Sequence, residues 1–332
     1  MGWAVFGHDW AVDHLSSALL NRRARHAYLF VGPEGMGKET LARAFAQAML
    51  CQNPDAAARP CGVCTACVRI ASSSHPDILF GEPEGAANAL KIEEVRRVAG
   101  GLALRPFESP YRIAIFRDFD RARPLAQDAL LKTLEEPPGH GVIMLLATTL
   151  EPVLPTIRSR SQVLHLRPAP FDAVSEALRA AGAETALADR IAAFSGGRIG
   201  WALRAWQDPA VLEARSAALD ALEALIAQGR AGRFKAAEAL AKDKDALIEH
   251  LTLWQTYWRD LLHLTTDSRE PLANRDREHT LRALAAHTDA AGALAALRAT
   301  GGLLHTLTTT NANIRLALDV MLLAYPGLAY AR

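Results

Sequence analysis

The chain is short of four things, and each shortage removes a class of protein. Only four of its 332 residues are cysteine, too few for a disulfide-stapled scaffold of this length. No stretch reaches the roughly 18 consecutive apolar residues that a membrane helix needs. The opening "MGWAVFGHDWAVDHL" has no basic segment leading into an unbroken apolar run, so no export signal is expected. Net charge is only +1, which does not advertise nucleic acid by itself. Half of the residues are hydrophobic and 22% are charged, as in a soluble globular chain with one large core or two to three smaller ones. The expectation is a cytoplasmic protein with no membrane contact.

The four cysteines are not scattered. Cys51, Cys61, Cys64 and Cys67 follow the pattern C-x9-C-x2-C-x2-C, which can bring four soft ligands to one point, as tetrahedral zinc requires. In a reducing compartment this favours a closed structural Zn²⁺ site, with redox chemistry or unrelated thiols as the alternatives. With every ligand position filled, catalysis by such a metal is not expected. Arginine is locally dense in "NRRARH" (21 to 26), "RRVAGGLALRP" (96 to 106) and "RDFDRARP" (117 to 124). Solvated faces and nucleic-acid contacts both remain open for these runs.

Residues 26 to 50, "HAYLFVGPEGMGKETLARAFAQAML", change period partway. Tyr28 to Val31 is a short apolar run, whereas Leu41, Ala44, Phe45, Ala48 and Met49 recur at helical spacing. A strand thus turns into an amphipathic helix. Between them Gly32, Gly35, Gly37 and Lys38 fit G-x-x-x-x-G-K, a loop whose backbone amides cradle phosphate while the lysine neutralises it. The next residue should carry a hydroxyl for Mg²⁺, but it is Glu39. Thr40 lies about 100° further round the helix and is a poor substitute. A second strand, "RIAIF" (112 to 116), runs into "RDFD", which lacks an adjacent acidic pair and leaves Asp118 as the carboxylate aimed at the site. Phosphate binding is possible here, and the metal chemistry is impaired. A third strand, "VIMLLATT" (142 to 149), and a fourth within "PTIRSRSQVLHL" (155 to 166) follow. Arg158 and Arg160 precede the fourth strand, where local sequence leaves open a solvated turn or a finger that reaches a neighbour's nucleotide.

These residues resemble the AAA+ subunits of the bacterial replicative clamp loader. "HAYLFVGPEGMGK", the cysteine insert, "HPDILF" (75 to 80), "ALLKTLEEPP" (129 to 138), "LLATT" (145 to 149) and "IRSRS" (157 to 161) stand in that family's order. The resemblance implies an α/β AAA+ P-loop domain with a zinc-binding insert, followed by a small helical lid and an all-α collar. The expected boundaries are 1–168, with the insert at about 51–67, then 169–207 and 208–332. Motor subunits of the family keep the hydroxyl and an Asp-Glu pair, whereas delta-prime subunits tend to lose them. This chain has Glu39, Arg117 and Asp118 at those places, and Gly200, in "FSGGRIGWALRA" (194 to 205), where active subunits usually carry a phosphate-sensing arginine.

By resemblance, Arg160 is the arginine of the Ser-Arg-Cys motif, with Ser161 in place of the cysteine. The implied role is a non-hydrolysing delta-prime-like subunit of the DNA polymerase III loader. Its partners would be the motor subunits and delta in a five-membered ring, with the sliding clamp and primed DNA reached through the complex. ATP or ADP binding at the P-loop stays open, and hydrolysis is not expected. A divergent hydrolysing motor subunit is the alternative. A P-loop kinase or nucleotide-metabolising enzyme would leave "ALLKTLEEPP" and Arg160 unexplained. Downstream, helices are expected in "AVLEARSAALDALEALI", "FKAAEALAK", "LIEHLTLWQTYWRDLLHL", the single run 279 to 310 and "NIRLALDVMLLAYPG". Leu251, Trp254, Trp258 and Leu262 make one apolar stripe, either core or interface.

Overall fold

A computed structural model describes residues 2–85, 89–268, 270–310 and 312–327. Asn311, the first residue of the family-like run 311 to 323, lies outside them. The chain forms two compact units, one of Met1–Ala177 with Gly197–Trp201, the other of Leu178–Gly196 with Ala202–Arg332.

The first unit is built on five parallel strands: β1 (Ala27–Val31), β2 (Ile78–Gly81), β3 (Arg112–Phe116), β4 (Gly141–Ala147) and β5 (Gln162–His165). Their order across the sheet is β2-β3-β4-β1-β5, so β1 lies between β4 and β5. Every residue of β1 and β4 is buried, as expected where helices cover both faces of a parallel sheet. Alternation sorts the side chains. Tyr28 and Phe30 join the core beneath α1 (Asp9–Leu20), α2 (Lys38–Leu50) and α3 (Thr65–Ala71). Ala27, Leu29 and Val31 join the other core, under α4 (Ile92–Ala103), α5 (Pro124–Glu135) and α6 (Pro155–Arg160). Each fully buried Leu or Phe on these faces contributes about 1.5–3 kcal/mol. "HPDILF" supplies β2 at the sheet edge. Asp77, just before it, is fully buried and accepts the backbone N–H groups of Phe107, Glu108 and Ser109 at 2.6, 3.0 and 3.0 Å. That carboxylate ties the loop leading into β3 to the edge of the sheet.

The helices α7 (Phe171–Ala180), α8 (Thr185–Ser195) and α9 (Ile199–Gln207) follow. The second unit is all helical, continuing with α10 (Pro209–Ala227), α11 (Arg230–Leu240), α12 (Lys244–Thr265), α13 (Glu278–Ala285), α14 (Ala290–Thr309) and α15 (Ile314–Leu323). Short polar side chains start several of them. Asp208, Asp243, Asp289 and Asn313 each accept a backbone N–H from the first turn of the helix that follows. The Asp289 cap divides the run 279 to 310, which the sequence suggests as one helix, into α13 and α14. Leu251, Trp254 and Trp258 are fully buried, with Leu262 packed against them, so the stripe on α12 is core. Arg233 is buried in this unit and donates to carbonyl oxygens of Leu225, Ile226 and Gln228 near the end of α10 and of Leu322, Tyr325 and Pro326 near the end of α15. It supplies donors that two helix C-termini lack. Among the described residues no helix is long and apolar enough to cross a membrane.

Candidate functional site

The P-loop joins β1 to α2 and is satisfied from within. Gly35 and Gly37 have φ of +76° and +92°, a region that side chains rarely tolerate. Lys38 does not extend outward: its ammonium is buried and donates to Gly32 O and to Pro33 O, the latter at 3.0 Å. Burial lowers its pKa below the ordinary lysine value, opposed by the carboxylates of Asp120, Asp118 and Glu34 in that order. His8 is buried and its Nε2 bonds Met36 O at 2.7 Å. The Gly200 N–H donates to Gly35 O at 2.7 Å. A Cβ on Gly35 would lie 2.9 Å from the backbone nitrogen of Trp201, and one on Gly200 would lie 3.0 Å from Gly35 O. The start of α9 is therefore seated directly on the loop, backbone against backbone.

Where magnesium chemistry would need a hydroxyl and a carboxylate, there is an ion pair. Glu39 Oε1 accepts from Arg117 Nη2 at 2.5 Å and from Arg43 Nε at 2.7 Å. Arg117 also pairs with Glu82, and both arginines lie over the Phe80 ring, at 5.1 and 4.8 Å from its centroid. Burial pushes the Glu39 carboxyl upward, but its hydrogen bonds from Arg117 and Arg43 outweigh this and hold the group below the ordinary glutamate value. Thr40, the neighbouring hydroxyl, is exposed. Two departures that look independent in sequence are thus partners: position 39 has become an anion and position 117 a cation, and each neutralises the other.

Asp118 takes a left-handed conformation, φ +43°, at the end of β3. The sequence singles it out, but the structure adds Asp120. Burial raises the pKa of that carboxyl, opposed first by the nearby Thr148 backbone N–H, and its Oδ1 is buried without a partner. Of the two it acts more strongly on Lys38. The turn that carries Asp120 inward is set by tertiary packing of Phe119, which is fully buried, and no local pattern announces it.

Arg160 ends α6 on the surface. Its Nη1 donates to Thr156 O at 3.1 Å and its Nη2 lies 2.8 Å from Glu135 Oε1. The pair is 37% and 50% exposed, so an anion can reach the guanidinium without unpacking the protein.

The sulfur atoms of Cys51, Cys61, Cys64 and Cys67 all lie within 4.8 Å of one another. Cys51 follows the last residue of α2, Cys64 caps α3 and Cys67 sits in its first turn. The Cys51 and Cys64 sulfurs are 3.9 Å apart, close to the roughly 3.8 Å edge of a tetrahedron with zinc–sulfur bonds of about 2.3 Å. Backbone N–H groups of Asn53 and Cys61 point at Cys51 Sγ, and that of Cys64 at Cys61 Sγ. Such donors favour thiolates. The N–H groups of Val63 and Cys64 lower the Cys61 thiol to about 6, while burial pushes Cys67 up. The cluster could hold a metal ion, and its donor set and spacing suit zinc.

A family model described as DNA polymerase III, delta subunit, matches residues 7–170, and another, described as DNA polymerase III, delta subunit, C terminal, matches 209–325. The chain is 39% identical over 135 residues to DNA polymerase III subunit delta' of Pseudomonas aeruginosa, an alignment covering 41% of each protein. It is 38% identical over 158 residues to DNA polymerase III subunit gamma/tau of Mycobacterium tuberculosis, covering 47% of this chain and 27% of that one. These matches span less than half of either relative's length. A solved gamma subunit-related protein of DNA polymerase III from Thermotoga maritima aligns over 93% of this chain and 97% of its own, at 18% identity and a TM-score of 0.42. At that distance no residue role is carried over. Matched in both its N-terminal and its C-terminal portions, the chain belongs to the family of DNA polymerase III clamp-loader subunits.

Proposed function

We propose that this chain is a delta-prime-type subunit that does not hydrolyse ATP itself and presents Arg160 to ATP held by an adjacent motor subunit. In this reading it completes a five-membered ring with the motor subunits and delta, and through that ring acts on the sliding clamp and primed DNA. Residues 1–168, 169–207 and 208–332 serve as the nucleotide-binding-like domain, lid and collar.

The observation that carries the reading is the Glu39–Arg117 pair. Hydrolysis at a P-loop needs Mg²⁺ between the phosphates, the hydroxyl after the lysine and a strand-end carboxylate. Here one ligand position is a cation, and the other is a carboxylate already committed to Arg117 and Arg43. Lys38 bonded to the loop's own carbonyls supports the same conclusion, because phosphate must displace those bonds. Arg160 has the opposite character: it is exposed and permanently charged, with planar N–H donors suited to a phosphate oxygen.

The test is turnover. Purified chain with MgATP is expected to release no phosphate above the blank. Robust release that Lys38→Ala abolishes would overturn the reading in favour of a motor subunit. The cysteine cluster is expected to hold one structural Zn²⁺ per chain, measured by elemental analysis of protein purified without chelator. Finding no metal there overturns that part. Cys64→Ser is expected to loosen residues 51–67 locally and leave the helical unit intact.

A further inference from the structure

We propose that Glu135 is a positioning residue for Arg160, an inference that rests on Arg160 being the finger. The two groups come from different helices. Glu135 is the last residue of α5, where Glu136 caps the helix and Pro137 and Pro138 prevent it from continuing. Arg160 is the last residue of α6. Leu130 and Leu134 of α5 and Ile157 of α6 are buried in the same core, so the two helix ends are held by packing and not by the ion pair.

A carboxylate is out of place at the end of α5. The negative end of the helix dipole disfavours an anion in the last turn, where Lys132 already has the favourable sign. Helix stability therefore does not explain Glu135. What it faces does. The Glu135 carboxylate pairs with Nη2 of Arg160 at 2.8 Å while Nη1 donates to Thr156 O and to Ser159 Oγ, so a charge on one side and backbone and hydroxyl acceptors on the other restrain the direction of the guanidinium. With five N–H donors, the fork keeps some to spare for a phosphate oxygen. A long side chain that would otherwise sample many rotamers is aimed before its target arrives.

An exposed ion pair of this kind contributes little to folding, and its loss translates into roughly a two- to fivefold change in a rate that depends on Arg160 being in place. Glu135 touches no nucleotide in this scheme. It acts through Arg160.

The experiment uses the reconstituted loader and its DNA-stimulated ATPase, comparing Glu135→Ala, Glu135→Gln, Arg160→Ala and the double variant Glu135→Ala/Arg160→Ala. Glu135→Ala is expected to lower kcat about two- to fivefold, with KM for ATP and thermal stability unchanged. Glu135→Gln, which keeps an acceptor oxygen, is expected to recover part of the loss. The double variant should be no slower than Arg160→Ala alone, because the carboxylate has nothing left to aim. If Arg160→Ala lowers the rate but Glu135→Ala runs at or above the unmodified rate, or adds a further loss to Arg160→Ala, the positioning role is wrong and the finger stands. If Arg160→Ala itself runs unchanged, the finger reading and this inference fail together.

Discussion

Arg117 and Arg160 are exposed to a similar degree, 30% and 37%, yet they are held differently. Arg117 is shared between Glu39 and Glu82 and lies over Phe80. Its charge is fully committed inside its own unit. Arg160 has one carboxylate, with a carbonyl and the Ser159 hydroxyl as its neutral acceptors, all at the surface. In the reading proposed for Arg160, what separates a structural arginine from one that can be lent to a neighbour is not exposure but the number of anions already holding it.

That contrast can be broken in three ways. The largest effect is expected from Arg160→Ala. A finger serving the sole site of an enzyme is worth roughly 10³ to 10⁵ in rate, and a loader that divides its work over several sites should lose less, about tenfold in DNA-stimulated ATPase and clamp loading. Ring assembly, zinc content and the denaturation midpoint are expected to stay as they were. Equal rates for the variant and the unmodified loader would return Arg160 to being a solvated helix end. Arg158→Ala should do less, since the proposed finger is Arg160 and not Arg158.

Arg117→Ala should show the reverse pattern. It leaves Glu39 and Glu82 without their shared partner, and is expected to lower stability by about 1 kcal/mol. Contact with water keeps this short of the 3–5 kcal/mol typical of a broken, fully buried pair. Urea denaturation of the purified chain measures it, and an unchanged midpoint would mean the pair merely decorates the surface. No gain of ATP turnover should accompany it, because removing the cation does not restore a metal ligand.

The smallest effect is the pH dependence of that difference. Glu39 has a pKa below the ordinary glutamate value in the folded chain. The stability it contributes is fully present above the unfolded glutamate pKa and is lost as pH falls through the depressed one. The gap between the unmodified chain and Arg117→Ala should therefore narrow in acid. A gap that widens instead would assign the stabilisation to some group other than Glu39.

Features encoded by short spacings were legible before the structure. The P-loop, the four cysteines, the strands around 28–31, 112–116 and 142–149, and most of the helices each depend on residues that lie close together in the sequence. The same holds for the place of Arg160. What stayed hidden joins distant positions. Glu39 and Arg117 are 78 residues apart, and each alone reads as a defect in a metal site; only the fold makes them partners. Asp120 could not be separated from Asp118 without the turn at Phe119. Glu135 lies inside a recognisable motif, yet its meaning depends on α6. The break between α13 and α14 was within reach, since Asp289 is an N-cap residue type standing ahead of an alanine-rich run.

The contact between Gly35 and Gly200 bears on how this site can change over time. A route from the present arrangement to a magnesium-binding one has no easy first step. Gly200→Arg would drive a side chain into the loop backbone, where even a Cβ falls 3.0 Å from Gly35 O. Glu39→Thr alone would take away one of the two carboxylates that hold Arg117, and Arg117→Asp alone would set a third carboxylate beside Glu39 and Glu82. Each single substitution passes through a chain less stable than the one it left, so reversal requires several changes at once. In that reading the site behaves as a ratchet: Glu39 and Arg117 support one another, and mutational drift can weaken the arrangement far more readily than it can undo it.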